Sequence, residues 1–158
     1  MKQIELTQGQ VALVDDEDYE WLSQWLWFFH RHPVGGYAER RDGRKLLGMH
    51  VAIARRIGLI GRVDHENRDK LDNRRVNLRL ATTSQNGANR KVQRNNTSGF
   101  RGVTLHKQNG WQAKIQIRGK TRHLGYFGND EEAKRNAARA YNREAVKEFG
   151  EFAQLNEV

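Results

Sequence analysis

The 158-residue chain contains no cysteine. Disulfides are therefore excluded, as are thiolate metal sites and cysteine-ligated zinc fingers, so any metal must sit on oxygen or imidazole ligands. Long apolar runs are missing too. The longest strongly apolar stretch, Trp25 to Phe29, is far too short to span a bilayer. The start of the chain lacks the basic-then-apolar pattern of a secretory signal. A cytoplasmic location and no membrane partner are the expectation. Aromatic residues make up only 9% of the chain and hydrophobic residues 37%. That leaves core material for one ordinary domain or two small ones.

Positive charge, by contrast, is plentiful. Lysine and arginine number 28 against 19 aspartates and glutamates, a formal net charge of +9, which points to a polyanionic partner and favours nucleic acid over membrane. The excess is uneven. Up to Ala88 there are 14 basic and 12 acidic residues; beyond it there are 14 and 7. From Arg90 to Gly128 the chain carries nine basic residues and no acid, a bias that counterion release on phosphate binding explains and that a merely solvated face also permits.

Along the chain, Gln3–Leu6 and Val11–Val14 read as short strands joined by the turn Gln8-Gly9-Gln10. A helix is expected next, capped by Asp15 and Asp16, with Leu22, Trp25, Leu26 and Phe29 as its apolar stripe. Trp21, Trp25 and Trp27 suit core or cover better than base stacking. His30 and His32 read as exposed loop residues, and Gly35 and Gly36 as the helix break. Tyr37–Arg40 and Lys45–Val51 look like a hairpin turned at Asp42-Gly43, followed by a short helix over Val51–Ile57. Arg40, Arg41 and Arg44 are candidate auxiliary phosphate contacts, and His50 suits packing better than catalysis.

The run Val63-Asp64-His65 ends a short strand, a polar loop through Arg74 follows, and Asn77-Leu78-Arg79-Leu80 restarts a strand. Thr82 or Thr83 can cap a helix holding Ser84, Gln85, Asn86 and Asn89. Phosphodiester hydrolysis needs a base for water, a cation for the developing charge and a group that orients the base. Neutral imidazole at His65 is available as the base near pH 7. Asp64 and the amide oxygen of Asn86 are hard ligands suited to one Mg²⁺ or Mn²⁺, and Asn77 can orient the imidazole. Taken singly, Asp64, Asn77 and Asn86 also suit ordinary turns and caps.

Asp64-His65, Asp72-Asn73-Arg74, Asn77-Leu78-Arg79 and Ser84-Gln85-Asn86 together resemble the HNH (ββα-metal) homing endonucleases of bacteriophages and introns. The resemblance implies a general base at His65, a metal held by Asp64 and Asn86, and positioning by Asn77. Leu6-Thr7-Gln8-Gly9 with Val14-Asp15-Asp16-Glu17-Asp18 is similar to the leader that precedes such units. One departure is His50-Val51, where many relatives carry His-Arg.

Beyond a polar linker at 91–98, three strands are expected over Phe100–His106, Trp111–Arg118 and Thr121–Phe127, then a helix capped by Asn129 or Asp130. That helix has a small-residue face of Ala133, Ala137, Ala140, Tyr141 and Ala145. Trp111, Ala113, Ile115 and Ile117 alternate with Gln112, Lys114 and Gln116, so one side of this sheet is polar. Ser98-Gly99-Phe100-Arg101-Gly102-Val103, Leu124-Gly125-Tyr126-Phe127 and Ala140-Tyr141 are similar to the plant ethylene-response-factor (Apetala-two) domain. By that register the DNA contacts would be Arg101, Thr104, His106, Lys114, Gln116, Thr121 and His123. Only Arg101 keeps the plant residue type, so no target sequence carries over. Lys114 and Gln116 also suit a plain solvent-facing role.

The fold class expected is therefore α+β: a ββα-metal nuclease module with an N-terminal α/β leader over residues 1–90, a linker at 91–98, and a three-stranded antiparallel sheet plus helix over 99–158. The function expected is divalent-metal-dependent cleavage of double-stranded DNA by a monomer in a bacterial or phage-infected cell. A non-enzymatic DNA-binding regulator with an inert nuclease remnant is the rival reading, and an RNA-binding accessory protein is a weaker third.

Overall fold

The computed structural model describes residues 1–33, 35–90, 92 and 95–158. It resolves the chain into two compact units, Met1–Ala81 and Thr82–Val158. Among the described residues, no helix is long and apolar enough to cross a membrane.

In the first unit, β1 (Lys2–Glu5) and β2 (Val11–Val14) form an antiparallel hairpin around a 3-10 turn at Thr7–Gly9. Helix α1 (Asp16–Leu22) follows. A second sheet has the order β3 (Phe28–His32), β4 (Gly35–Asp42), β5 (Lys45–Gly48), and α2 (Met49–Arg56) leads from it to the ribbon of β6 (Val63–His65) and β7 (Leu78–Leu80). Ala12, Val14, Leu22, Trp27, Ala38, Met49 and Ile53 make the core, with Trp21, Trp25 and Phe29 packed against it. Burial of the Val14, Leu22, Met49 and Ile53 side chains contributes roughly 1.5–3 kcal/mol each.

Three expectations are corrected here. The helix stops at Leu22, and Phe28–His32 is a strand. The stop has a local cause, because Trp25 N–H and the Trp27 indole N–H both donate to the Leu22 carbonyl, at 3.2 and 2.8 Å. Leu26 then points to solvent, 94% exposed, and the aromatic pair Phe28-Phe29 joins a hairpin, which suits its β-propensity. His30 and His32 consequently lie on β3 and are half-buried, not loop residues. Finally, neither Asp15 nor Asp16 caps α1 through its side chain: Asp15 accepts from Arg75 N–H at 2.7 Å, and Asp16 accepts from the N-terminal ammonium. The edge of β3 is covered by the 3-10 turn, where Phe29 N–H donates to Thr7 Oγ1 and Gln8 Nε2 donates to Phe29 O.

The second unit opens with α3 (Thr83–Ala88), whose N-terminus is a full capping box between Thr82 and Gln85. Ser84 Oγ accepts from Arg118 N–H and Asn89 Oδ1 from Gln154 Nε2. Strands β8 (Val103–His106), β9 (Gly110–Ile117) and β10 (Lys120–Tyr126) form an antiparallel sheet in the order β10-β9-β8, and α4 (Glu131–Phe149) packs on it. Asp130 caps α4 by accepting from Ala133 N–H at 2.7 Å. The alanine face allows close approach: Ala113 meets Ala137, Ala138 and Ala140 in one core with Val103. Gly102, at φ +72°, lies where a Cβ would fall on the Tyr141 ring. Of the predicted linker, Lys91, Gln93 and Arg94 lie outside the described residues. Its last residues are built into this unit, since Ser98 Oγ donates to Val103 O at 2.8 Å and Asn96 Oδ1 accepts from Gly99 N–H at 2.7 Å.

Candidate active site and nucleic-acid face

Asp64 and His65 close β6, in register with Arg79 and Leu78 of β7. Both are buried, at 7% and 5% exposure, and the loop between the strands holds them there with polar groups. Asn77, also buried, accepts from Asn67 N–H through Oδ1 at 2.9 Å, donates through Nδ2 to Asp72 O at 2.7 Å, and accepts from Glu66 N–H on its own carbonyl at 3.0 Å. It therefore fixes the backbone that leaves His65.

Asp72, 2% exposed, takes both Nε and Nη2 of Arg74 at 2.7 Å and Nδ2 of Asn67 at 2.8 Å. The Arg74 hydrogen bonds are the main reason that the Asp72 carboxyl is held below its usual range. Strand β2 grips the same loop from outside, with Leu13 N–H donating to Leu71 O and Asn73 N–H donating to Leu13 O, each at 2.8 Å. Below it, fully buried Asp18 receives Arg75 Nε and Nη2 at 2.7 and 2.8 Å.

Asn73, a motif residue without a role in the sequence analysis, lies within hydrogen-bonding distance of His65. His65 Nε2 lies 3.3 Å from Asn73 Oδ1. The amide orientation follows from its other contact, Asn73 Nδ2 donating to Leu71 O at 3.1 Å. Nε2 then carries the proton and Nδ1 is the basic nitrogen. Burial lowers the His65 pKa, against the Asn73 hydrogen bond and the carboxylates of Asp64, Asp69 and Asp72, which act the other way. The neutral imidazole, the state that a general base requires, is thus the favoured form. Asn77 acts on His65 through the loop backbone.

Other rings lie close to this imidazole. His50 of α2 lies 5.0 Å from it and Tyr37 of β4 6.2 Å, between ring centroids. His50 has a buried Nδ1 with no hydrogen-bond partner among the described residues, and burial, then His65 and Lys70, push its pKa down to about 3. That is a packing histidine, kept neutral. Asp64 faces Arg79, Nε to Oδ2 at 3.5 Å, and Arg79 Nη1 also approaches Glu66 at 3.8 Å. Arg40, one of the suggested phosphate contacts, lies over the Trp25 ring at 4.7 Å. A shallow open depression lined by Glu66, Asn67, Asp72, Arg74, Val76 and Asn77 lies on the loop side. Its walls do not include Asp64 or His65, so the chemistry locates the site better than the concavity does.

Asn86 lies on α3, half-buried, its backbone N–H bonded to Thr82 O at 3.0 Å. It is an amide-oxygen donor and Asp64 a carboxylate donor. Each is the hard oxygen type that suits a divalent cation, Asp64 in the first unit and Asn86 in the second.

In the second unit the sheet separates its side chains cleanly. Register pairs Thr104 with Gln112, Lys114 with His123 and Gln116 with Thr121, so these six share the face away from α4. His106 alternates with Thr104 onto it, and Tyr126, opposite Gln112, meets the His123 ring at a tilt, 4.4 Å between centroids. Six of the seven residues nominated from sequence are thus brought together, while Gln112 and Tyr126 had not been nominated. Arg101 precedes β8, where Asn156 accepts from its N–H and donates to its carbonyl. Arg122 belongs to the other face: paired with Ile115, it bonds Glu144 and Glu148 of α4.

A model of the HNH endonuclease family matches residues 61–88, the stretch from the approach to β6 through α3. A protein of Acanthamoeba polyphaga mimivirus, named an uncharacterized HNH endonuclease, is 30% identical over 155 residues, covering 96% of this chain and 77% of the viral protein. No solved structure matches. The motif match falls on the buried Asp-His hairpin and the viral likeness runs along nearly the whole chain, so the protein belongs to the HNH endonuclease family and is a nuclease.

Proposed function

We propose that the protein hydrolyses phosphodiester bonds of double-stranded DNA with His65 as general base and one Mg²⁺ or Mn²⁺ held by Asp64 and Asn86. The observation that carries this reading is the buried His65 imidazole with Nε2 anchored on Asn73. HNH nucleases generally use a divalent metal, and the oxygen donors here suit a hard ion. When bound, such an ion supplies charge neutralisation at the phosphate. His65 Nδ1 takes the proton from the attacking water. Asn73 Oδ1 then stabilises the imidazolium through Nε2–H, and Asn77 positions both through the loop backbone.

Residues 1–90 form the cutting part in this proposal, 91–98 a linker and 99–158 an Apetala-two-like DNA-binding part. There, Arg101, Thr104, His106, Lys114, Gln116, Thr121 and His123 meet the duplex, the sheet entering the major groove while basic residues hold phosphates. The protein acts as a homing-type enzyme, as a monomer, in the cytoplasm of a bacterial or phage-infected cell. The test is supercoiled plasmid with Mg²⁺ or Mn²⁺, wild type beside His65→Ala. Cleavage is expected to fall by about 10²–10⁴-fold in the variant at unchanged DNA affinity. Metal-dependent cutting that survives the substitution would remove His65 from the chemistry.

A further inference from the structure

Three potential metal ligands lie together outside the nuclease loop. On β3, His30 and His32 are two residues apart and so point to one face; on β4, Glu39 stands in register with Phe28 of that same face. His30 Nδ1 is 2.7 Å from Glu39 Oε2 and His32 Nε2 is 3.4 Å from Glu39 Oε1. The imidazoles are 4.4 Å apart between centroids, and one ligand atom from each of the three residues falls within 4.8 Å of the others.

The alternative is a simple ion-pair bridge, and one detail argues against it. His32 Nε2 is buried yet makes no hydrogen bond among the described residues. Its 3.4 Å approach to the carboxylate is long for a hydrogen bond. Ligand atoms on a tetrahedral ion at 2.0–2.1 Å are themselves separated by roughly 3.3 Å, so the His32–Glu39 spacing already suits a shared cation. His30 approaches the other oxygen of Glu39, so the carboxylate would hold the ion through both oxygens or turn one toward it, the ligand atoms drawing in from within 4.8 Å of one another.

We propose that His30, His32 and Glu39 form a binding site for one transition-metal cation of the zinc class, separate from the Asp64 site. Two imidazoles and one carboxylate favour Zn²⁺, Co²⁺ or Ni²⁺ over Mg²⁺, whose preference is for oxygen. The His30 and His32 side chains keep 42% and 36% of their surface exposed, leaving a way in for the ion and room for water as a fourth ligand. Tyr37, on the same face, meets the His32 ring edge-on at 5.2 Å and also contacts His50 and His65. A cation here fixes β3 to β4 one ring away from the nuclease imidazole.

The site is tested by binding, independently of nuclease activity. The full chain is stripped with chelator and titrated with Co²⁺, followed by visible absorption, and with Zn²⁺, followed by calorimetry, in excess Mg²⁺. One equivalent is expected to bind in wild type and in Asp64→Asn, and affinity is expected to drop by at least about tenfold in His32→Ala and in the near-isosteric Glu39→Gln. Failure of wild type to bind Zn²⁺ in excess Mg²⁺ overturns the proposal. So does unchanged affinity in Glu39→Gln, which settles the matter even if His32→Ala does not fold. Loss of the equivalent in Asp64→Asn assigns the binding to the nuclease loop and overturns it as well.

Discussion

Around the loop from His65 to Leu78 the first unit uses a dense set of buried hydrogen bonds to hold one imidazole, whereas the second unit lays its candidate contact residues on an open sheet face over a core of small apolar side chains. Asp18, Asp72, Asn73 and Asn77 are each at most 5% exposed and all are bonded. In the second unit the work of positioning falls to shape, through alanines against Val103 and a glycine beneath Tyr141. The difference follows the tasks proposed for the two parts. A general base must be fixed in tautomer and orientation to within hydrogen-bond tolerance. A face that meets DNA needs only to be flat, polar and supported.

The comparison breaks first at its buried ends. Arg75→Met leaves Asp18 buried without its bidentate partner, with Arg56 3.6 Å away as the remaining cation among the described residues. Denaturant unfolding of the first unit should show a loss of about 2–4 kcal/mol. Gly102→Ala tests the shape-based unit: strain at φ +72° and overlap with the Tyr141 ring should cost about 2–3 kcal/mol there. Cross-effects of similar size on the other unit would contradict a two-unit description.

Acid sharpens the contrast. His50 is held neutral, with His65, Lys70 and the Tyr37 ring around it. Its folded pKa of about 3 lies below the ordinary 6.5, so the unfolded chain takes up the proton first. Stability is full above about pH 6.5 and falls toward pH 3. Chemical denaturation across that range should show a loss on the order of one to a few kcal/mol in wild type that shrinks in His50→Gln. Equal slopes would mean that His50 is not the group responsible. The smallest effect belongs to the open face: Lys114→Ala should weaken DNA binding several-fold and reduce the slope of log affinity on log salt by about 1, with folding unchanged. An unaltered slope would move the phosphate contacts elsewhere.

The ββα order, the capping by Thr82 and Asp130 and the three C-terminal strands were legible because each rests on local rules: alternation, cap chemistry and turn residues. The stretch from Trp25 to Phe29 was misread because a short aromatic run satisfies helical and strand spacing alike, and the Trp27 indole on the Leu22 carbonyl decides between them. Asn77 was visible as a motif residue, but its partners, Asn67 and Asp72, lie across a loop that sequence spacing does not describe.

By itself, then, the sequence determined the charge, the absence of thiolate chemistry, the Asp64-His65 hairpin and the polar face of the C-terminal sheet, since these depend on composition and near neighbours. Tertiary structure alone decided that Asn73 anchors His65, that His50 and Tyr37 flank it, and that His30, His32 and Glu39 meet on one face of a hairpin. Those contacts join residues brought together by strand pairing and burial, and no local periodicity encodes which side chains will meet.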